Sequence, residues 1–160
     1  SEWPSNGGSE AMVRLGDGRF LVFAEGPVGD DGTTPVLLFE GDPAVAGTRF
    51  AELRYRPLPG YRITDAAVLP DGRILFLNRR WAFLGGFAAA VAIADSPELR
   101  PGTVIEAREL AVLGSPLTID NLEALSVVVE GGRTVLWIAS DDNFNPVLQQ
   151  TLLLKFALTE

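Results

Sequence analysis

The chain has no cysteine and no histidine among its 160 residues, and these two absences exclude more than any motif admits. Without histidine, no Ser-His or Cys-His nucleophile pair can be assembled within it. Without either residue, the usual zinc ligand sets are missing. Chemistry therefore falls to carboxylates, asparagine, arginine, hydroxyls or an oxygen-bound metal. Lysine is scarce too: Lys155 is the only one, and every other basic residue is arginine, whose planar fork suits carboxylate or phosphate. Positive charge is in deficit, with 13 Lys and Arg against 21 Asp and Glu for a net charge of −8. That balance argues against a nucleic acid partner, because phosphate backbones are held by surplus cations. Long apolar runs are also lacking. The longest, Phe87 to Ala94, falls short of the ~20 residues that cross a bilayer, so no membrane partner is expected. The leading SEWPSNGG has no basic region followed by an apolar core, so no signal peptide is read there.

What the chain does have is a repeat. It is 47% hydrophobic, ample for a core at this length. SEAMVRLGDGRFLVFAEG (9–26), TDAAVLPDGRILFLNRR (64–80) and the stretch from Asp120 to Ser140 share one plan. In each, a carboxylate precedes an apolar strand, then a Gly-containing turn, then a second apolar strand. Aligned on their acids, Glu10, Asp65 and Glu123 stand 55 and 58 residues apart, a period that signals a repeat architecture.

The first unit (6–60) reads as strands Glu10 to Leu15, Phe20 to Ala24, Val36 to Glu40 and Arg49 to Tyr55, with a two-residue Asp17-Gly18 hairpin. The second (61–118) reads as Ala66 to Leu69, Ile74 to Asn78, Phe87 to Ala94 and Val104 to Leu113, with Asp71-Gly72 at the hairpin. Its FAAAVAIAD segment is alanine-rich enough for a helix, but its place in the repeat predicts a strand. The third (119–160) reads as Leu125 to Val129, Val135 to Ala139 and Thr151 to Phe156, with no fourth strand. Regular strands joined by Gly turns predict an all-β array of about three four-stranded antiparallel blades. Propellers have about 4 to 8 blades, so the expectation is a single partial β-propeller, part of a six-bladed ring. It would be a fragment of a longer chain or one half of a homodimer that closes the ring. An open wedge or a β-sandwich is the alternative.

First strands line a propeller's channel, so Glu10, Asp65 and Glu123 are expected to converge at one mouth with Asn6, Asp120 and Asn121. Such a ring of oxygens calls for a cation, and calcium accepts about six to eight of them. The competing reading is that each acid caps a turn at its own blade. Ser140, Asp141, Asp142, Asn143 and Asn145 form a second cluster, at a point matched by Glu25 and by Asn78-Arg79 in the other units. It suits calcium or ordinary Asx turns, and turns are favoured. Arg62, Arg79 and Arg80 flank the acids, either to hold an anionic substrate bidentately or to pair with the same carboxylates.

GYRITDAAVLPDGRILFLNRR, DNLEALSV, SDDNFNPVLQQTLLLKFAL and NGGSEAMVRLGDGRFLVFAEG closely resemble stretches of a bacterial phytase-like β-propeller family, "esterase-like activity of phytase". The likeness spans nearly the whole chain and looks like the C-terminal half of the family's domain. It implies a secreted or periplasmic propeller that hydrolyses phosphate or other esters with a divalent metal. Asn6, Glu10, Asp65, Asn121, Glu123 and Asp141 to Asn143 are then the motif residues. Three functions follow: a calcium-dependent phosphate ester hydrolase with Glu10, Asp65 and Glu123 at the metal; a non-catalytic ligand- or protein-binding propeller; and a calcium-dependent lactonase-like propeller.

Overall fold

The computed structural model describes residues 8–24, 29–82, 86–95, 97, 99–114, 116–144 and 149–159, the side chains of Trp81 and Ala82 excepted. Asn6, Glu25 and Asn145 lie outside the described residues. Twelve strands and no helix occur among those described. They are β1 (Ser9–Arg14), β2 (Phe20–Ala24), β3 (Thr34–Phe39), β4 (Phe50–Arg56), β5 (Arg62–Val68), β6 (Ile74–Ala82), β7 (Gly86–Ala94), β8 (Val104–Glu106), β9 (Arg108–Leu113), β10 (Leu122–Glu130), β11 (Arg133–Ser140) and β12 (Leu153–Ala157). They form three sheets ordered β1-β2-β3-β4-β8, β5-β6-β7-β9 and β10-β11-β12, called sheets 1, 2 and 3 below. The alanine-rich segment is strand β7, as its place in the repeat predicts.

Glycine sets the hairpins. Gly18 and Gly72 sit at φ +90° and +91°, a region costly for a side chain bearing Cβ. Each loop has three residues rather than the expected two: Gly18 N–H donates to the Leu15 carbonyl at 3.0 Å, and Leu15 N–H donates to the Arg19 carbonyl at 2.8 Å. That is a type I turn followed by a left-handed residue. Leu69 to Arg73 repeats it, with bonds of 2.9 and 2.8 Å. Asp17 and Asp71 each accept the N–H two residues on at 3.0 Å, and each carboxylate also holds the side chain of that same arginine.

Two apolar cores lie between the sheets. Sheets 1 and 2 bury Leu21, Phe23, Val36, Leu53, Ile63, Ile74 and Phe76 against one another, and sheets 2 and 3 bury Leu75, Leu77, Val91, Ile93, Leu122, Leu136 and Ile138. In the first, Tyr55 stacks on Phe76 with centroids 4.4 Å apart, and Phe23 meets both rings edge-on. Tyr55 donates its hydroxyl to buried Asn78 Oδ1 at 3.0 Å, so the ring's polar end is satisfied where water is absent.

The expected fourth strand of the second unit, Val104 to Leu113, is divided between two sheets. Arg108–Leu113 pairs with β7, whereas Val104–Glu106 runs parallel to β4 and widens sheet 1 to five strands. The cause is the open edge of β4, whose amides need partners. Arg54 N–H donates to the Thr103 carbonyl at 2.9 Å, Arg56 pairs with Glu106 at 3.0 Å, and Ile105 enters the first core 1% exposed. Strand β8, from the second unit, thus joins the sheet of the first. Sheet 3 has three strands, as expected.

The strands that open the sheets stand side by side, β5 between β1 and β10. Together Met12 to Arg14, Ala66 to Val68 and Leu125 to Val127 line one open groove of about 300 Å³.

Candidate functional site at the seam of sheets 2 and 3

Each opening strand begins with a bulge. Pairing skips from Ser9 to Ala11 in β1, from Ile63 to Asp65 in β5 and from Leu122 to Ala124 in β10. The extra residues are Glu10, Thr64 and Glu123, which a bulge turns out of the regular pleat. The three acids therefore do not share one register position. Thr64 is the counterpart of Glu10 and Glu123, while Asp65 matches Ala11 and Ala124. The interval between LGDG and LPDG is 54 residues, and that interval, rather than the acids, carries the alignment.

The bulges position a polar cluster where sheets 2 and 3 meet. Arg79, one residue beyond buried Asn78 on β6, donates from Nη1 to Glu123 Oε1 at 2.7 Å and also to Asn121 Oδ1. Asn121 closes the triangle, its Nδ2 donating to Glu123 Oε1 at 2.5 Å. Asn121 is buried, and Arg79 and Glu123 are partly so, their side chains 25% and 31% exposed. Thr64 Oγ1 donates to the Leu122 carbonyl at 3.1 Å. Asp65 uses both oxygens: Oδ2 accepts Leu125 N–H at 2.6 Å and Oδ1 accepts Ala66 N–H at 2.8 Å. Burial raises the Asp65 carboxyl above its ordinary value against the pull of those two bonds. Asp120 likewise accepts Asn121 N–H and Gln150 N–H, each at 2.7 Å.

The other expected residues are distributed around this cluster. Glu10 is exposed at the start of β1. Arg62 is exposed opposite Arg79 in the β5–β6 pairing. Arg80 places its guanidinium 5.0 Å from the centre of the Tyr61 ring. Asp141 and Asp142 accept the N–H groups of Asn143 and Phe144 at 3.1 and 3.0 Å. These Asx turns support two successive left-handed residues, at φ +49° and +57°. Asp141 N–H donates to the Asn121 carbonyl at 3.1 Å, tying this loop to the seam.

Among the described residues, no group of three His, Cys, Asp or Glu side chains is placed to hold a metal ion. The Asn121 and Glu123 oxygens converge on the Arg79 guanidinium, and Asp65 is committed to backbone amides. The described donors therefore do not fit a calcium site built on three carboxylates. What the cluster offers is a half-buried arginine beside a carboxylate that exchange could free. The sequence reading missed Thr64, whose signal was the 54-residue interval. It also missed the Tyr55–Asn78 bond, for which no local signal exists.

No curated protein and no solved structure matches the chain. The model of the phytase-like family described as "Esterase-like activity of phytase" matches residues 1–144. The chain belongs to that family.

Proposed function

We propose that this chain is part of a phytase-like β-propeller that hydrolyses phosphate esters, with the Arg79–Asn121–Glu123 seam as its substrate site. The observation that carries this reading is the family match over residues 1–144. The groove lined by β1, β5 and β10 supports the propeller reading, since opening strands line the channel in such rings. The seam lies where those strands begin.

In this reading the ester's anionic oxygen takes the Arg79 guanidinium in place of Glu123, a bidentate exchange for which arginine is suited. Glu123, released, accepts a proton from the attacking water as the oxygen–phosphorus bond forms. It returns that proton to the leaving alkoxide as the ester bond breaks. Asn121, held by Arg79 and Glu123 at once, keeps the two groups in register. A second reading, a ligand-binding propeller without catalysis, is favoured by the full engagement of Asp65 with backbone amides.

Initial rates on phytate, p-nitrophenyl phosphate and p-nitrophenyl acetate test the proposal, with calcium and with chelator. Glu123→Gln is expected to lower phosphate ester turnover by about 10²–10⁴-fold, the usual worth of a general base. Absence of wild-type turnover on all three, together with saturable phosphate binding that Arg79→Met abolishes, would leave the binding reading.

A further inference from the structure

We infer that Arg62 is a specificity-determining residue of the seam, a second guanidinium that takes the second negative charge of a doubly charged ester group while Arg79 takes the first. The assignment rests on the seam being a phosphate ester site. Its basis is a ladder pair of like charge. Arg62 and Arg79 are Cα partners in the β5–β6 pairing, which puts their side chains on one face with Cβ atoms about 4.5–5.5 Å apart. The next pair along, Ile63 and Asn78, is buried on the other face, where Ile63 joins the core between sheets 1 and 2 and Asn78 bonds Tyr55. By alternation Arg62 and Arg79 face sheet 3. Arg79 reaches Asn121 and Glu123 there, and its partner on β7, Ala89, is buried in the core between sheets 2 and 3.

Like charges directly opposite in a ladder repel, and the chain balances only one of these two. Glu123 pairs with Arg79. Arg62 is exposed and, among the described residues, takes part in no hydrogen bond or ion pair. The other carboxylates of the seam are engaged with backbone amides instead: Asp65 with those of Ala66 and Leu125, Asp120 with those of Asn121 and Gln150, and Asp141 with that of Asn143. Arg80, the third arginine of this stretch, is one residue further on and so shares the face of Asn78, where it lies over Tyr61. It does not face the seam.

An anion with two charged oxygens fits this pair. A phosphate monoester carries nearly two negative charges above its second pKa of about 6, spread over three terminal oxygens, and one oxygen can go to Arg79 while another goes to Arg62. A phosphate diester or a carboxylate brings one charge, which Arg79 alone answers. Arg62 therefore selects by charge, and its role is binding: no proton moves through it and no bond is broken by it.

Calorimetric titration of phenyl phosphate, and of the singly charged diester methyl phenyl phosphate, into the 160-residue chain at about pH 8 tests this. The wild type is expected to bind the monoester about tenfold or more tightly than the diester. Arg62→Met should weaken the monoester by about tenfold or more and leave the diester within about threefold, so the preference collapses. Arg62→Lys, which keeps the charge without the fork, should retain part of it. Arg80→Met should leave both affinities unchanged. Because Arg62 is exposed and opposes a like charge, the urea midpoint of Arg62→Met should equal or exceed that of the wild type. If Arg62→Met weakens both ligands equally, or neither, while Arg79→Met abolishes monoester binding, the inference is overturned and the seam stands as the site. Monoester binding that survives Arg79→Met, or that the wild type lacks, would overturn the seam reading and this inference with it.

Discussion

Replacing Asp65 separates a structural tie from a ligand. Its carboxylate bridges two sheets by accepting Leu125 N–H at 2.6 Å and Ala66 N–H at 2.8 Å. Asp65→Ala orphans both donors. A bond to a charged acceptor contributes about 1.5–3 kcal/mol and a local one about 1 kcal/mol, and relief from desolvating the half-buried carboxylate offsets part of this, for a net loss of about 2 kcal/mol. In a domain of this size that lowers Tm by roughly 4–8 °C. Burial, the largest influence, lifts the Asp65 carboxyl above its ordinary 3.8. The folded state therefore keeps this proton to higher pH than the unfolded chain. The wild type's margin over Asp65→Asn is then full below about pH 3.8 and shrinks as pH rises through the raised value. Urea titrations of the wild type and both variants across that range measure it. A stability change within about 0.5 kcal/mol for Asp65→Ala, the ordinary result of a surface substitution, would refute the tie. Lost ligand binding in the same variant would then return Asp65 to the site.

Arg79→Met removes the cation on which Asn121 and Glu123 converge. It should cost about 1–3 kcal/mol in urea unfolding. Ile105→Ala should cost about 2–5 kcal/mol and speed hydrogen exchange at Arg54, because the side chain is 1% exposed where β8 covers the edge of β4. Tyr55→Phe leaves buried Asn78 Oδ1 without its donor, a loss of about 1–3 kcal/mol at neutral pH. Burial pushes the Tyr55 phenol well above its ordinary 10.0. The unfolded chain ionises first, so the wild type loses stability as pH rises past about 10, and Tyr55→Phe should flatten that loss in alkaline urea titrations.

The hairpins were legible because their signal is local. Asp17-Gly18, Asp71-Gly72 and Gly131-Gly132 each put glycine where φ is positive, and the strands on either side follow. The destination of Val104 to Glu106 was not legible, because it depends on which sheet edge lies open after folding. Nothing in Val-Ile-Glu distinguishes β4 from β7 as a neighbour. At the seam, the pairing of Arg79 with the carboxylate of Glu123 was one of the two readings the sequence offered, and the Asx turns at Asp141 and Asp142 were the favoured one. Aligning on charge instead of on turns put Asp65 in the place of Thr64. A carboxylate is conspicuous in a sequence and a threonine is not, although the bulge treats their positions alike.

That one-residue offset explains how a stack of apolar sheets carries a polar seam. A regular strand entering either core would have to send alternate residues inward, and an acid in phase with Leu122 would be buried without a partner, at a cost of several kcal/mol. Adding one residue keeps Leu122 and Leu125 facing the core and turns Glu123 to the strand's end, where Arg79 reaches it. In β5 the same extra position holds Thr64, which needs only a carbonyl and finds that of Leu122. Asp65, next in line, accepts the Leu125 amide of β10 and the Ala66 amide of its own strand. The middle sheet thus uses its polar residues to join sheets, and sheet 3 presents its own to Arg79. The seam's chemistry comes from where the opening strands are irregular.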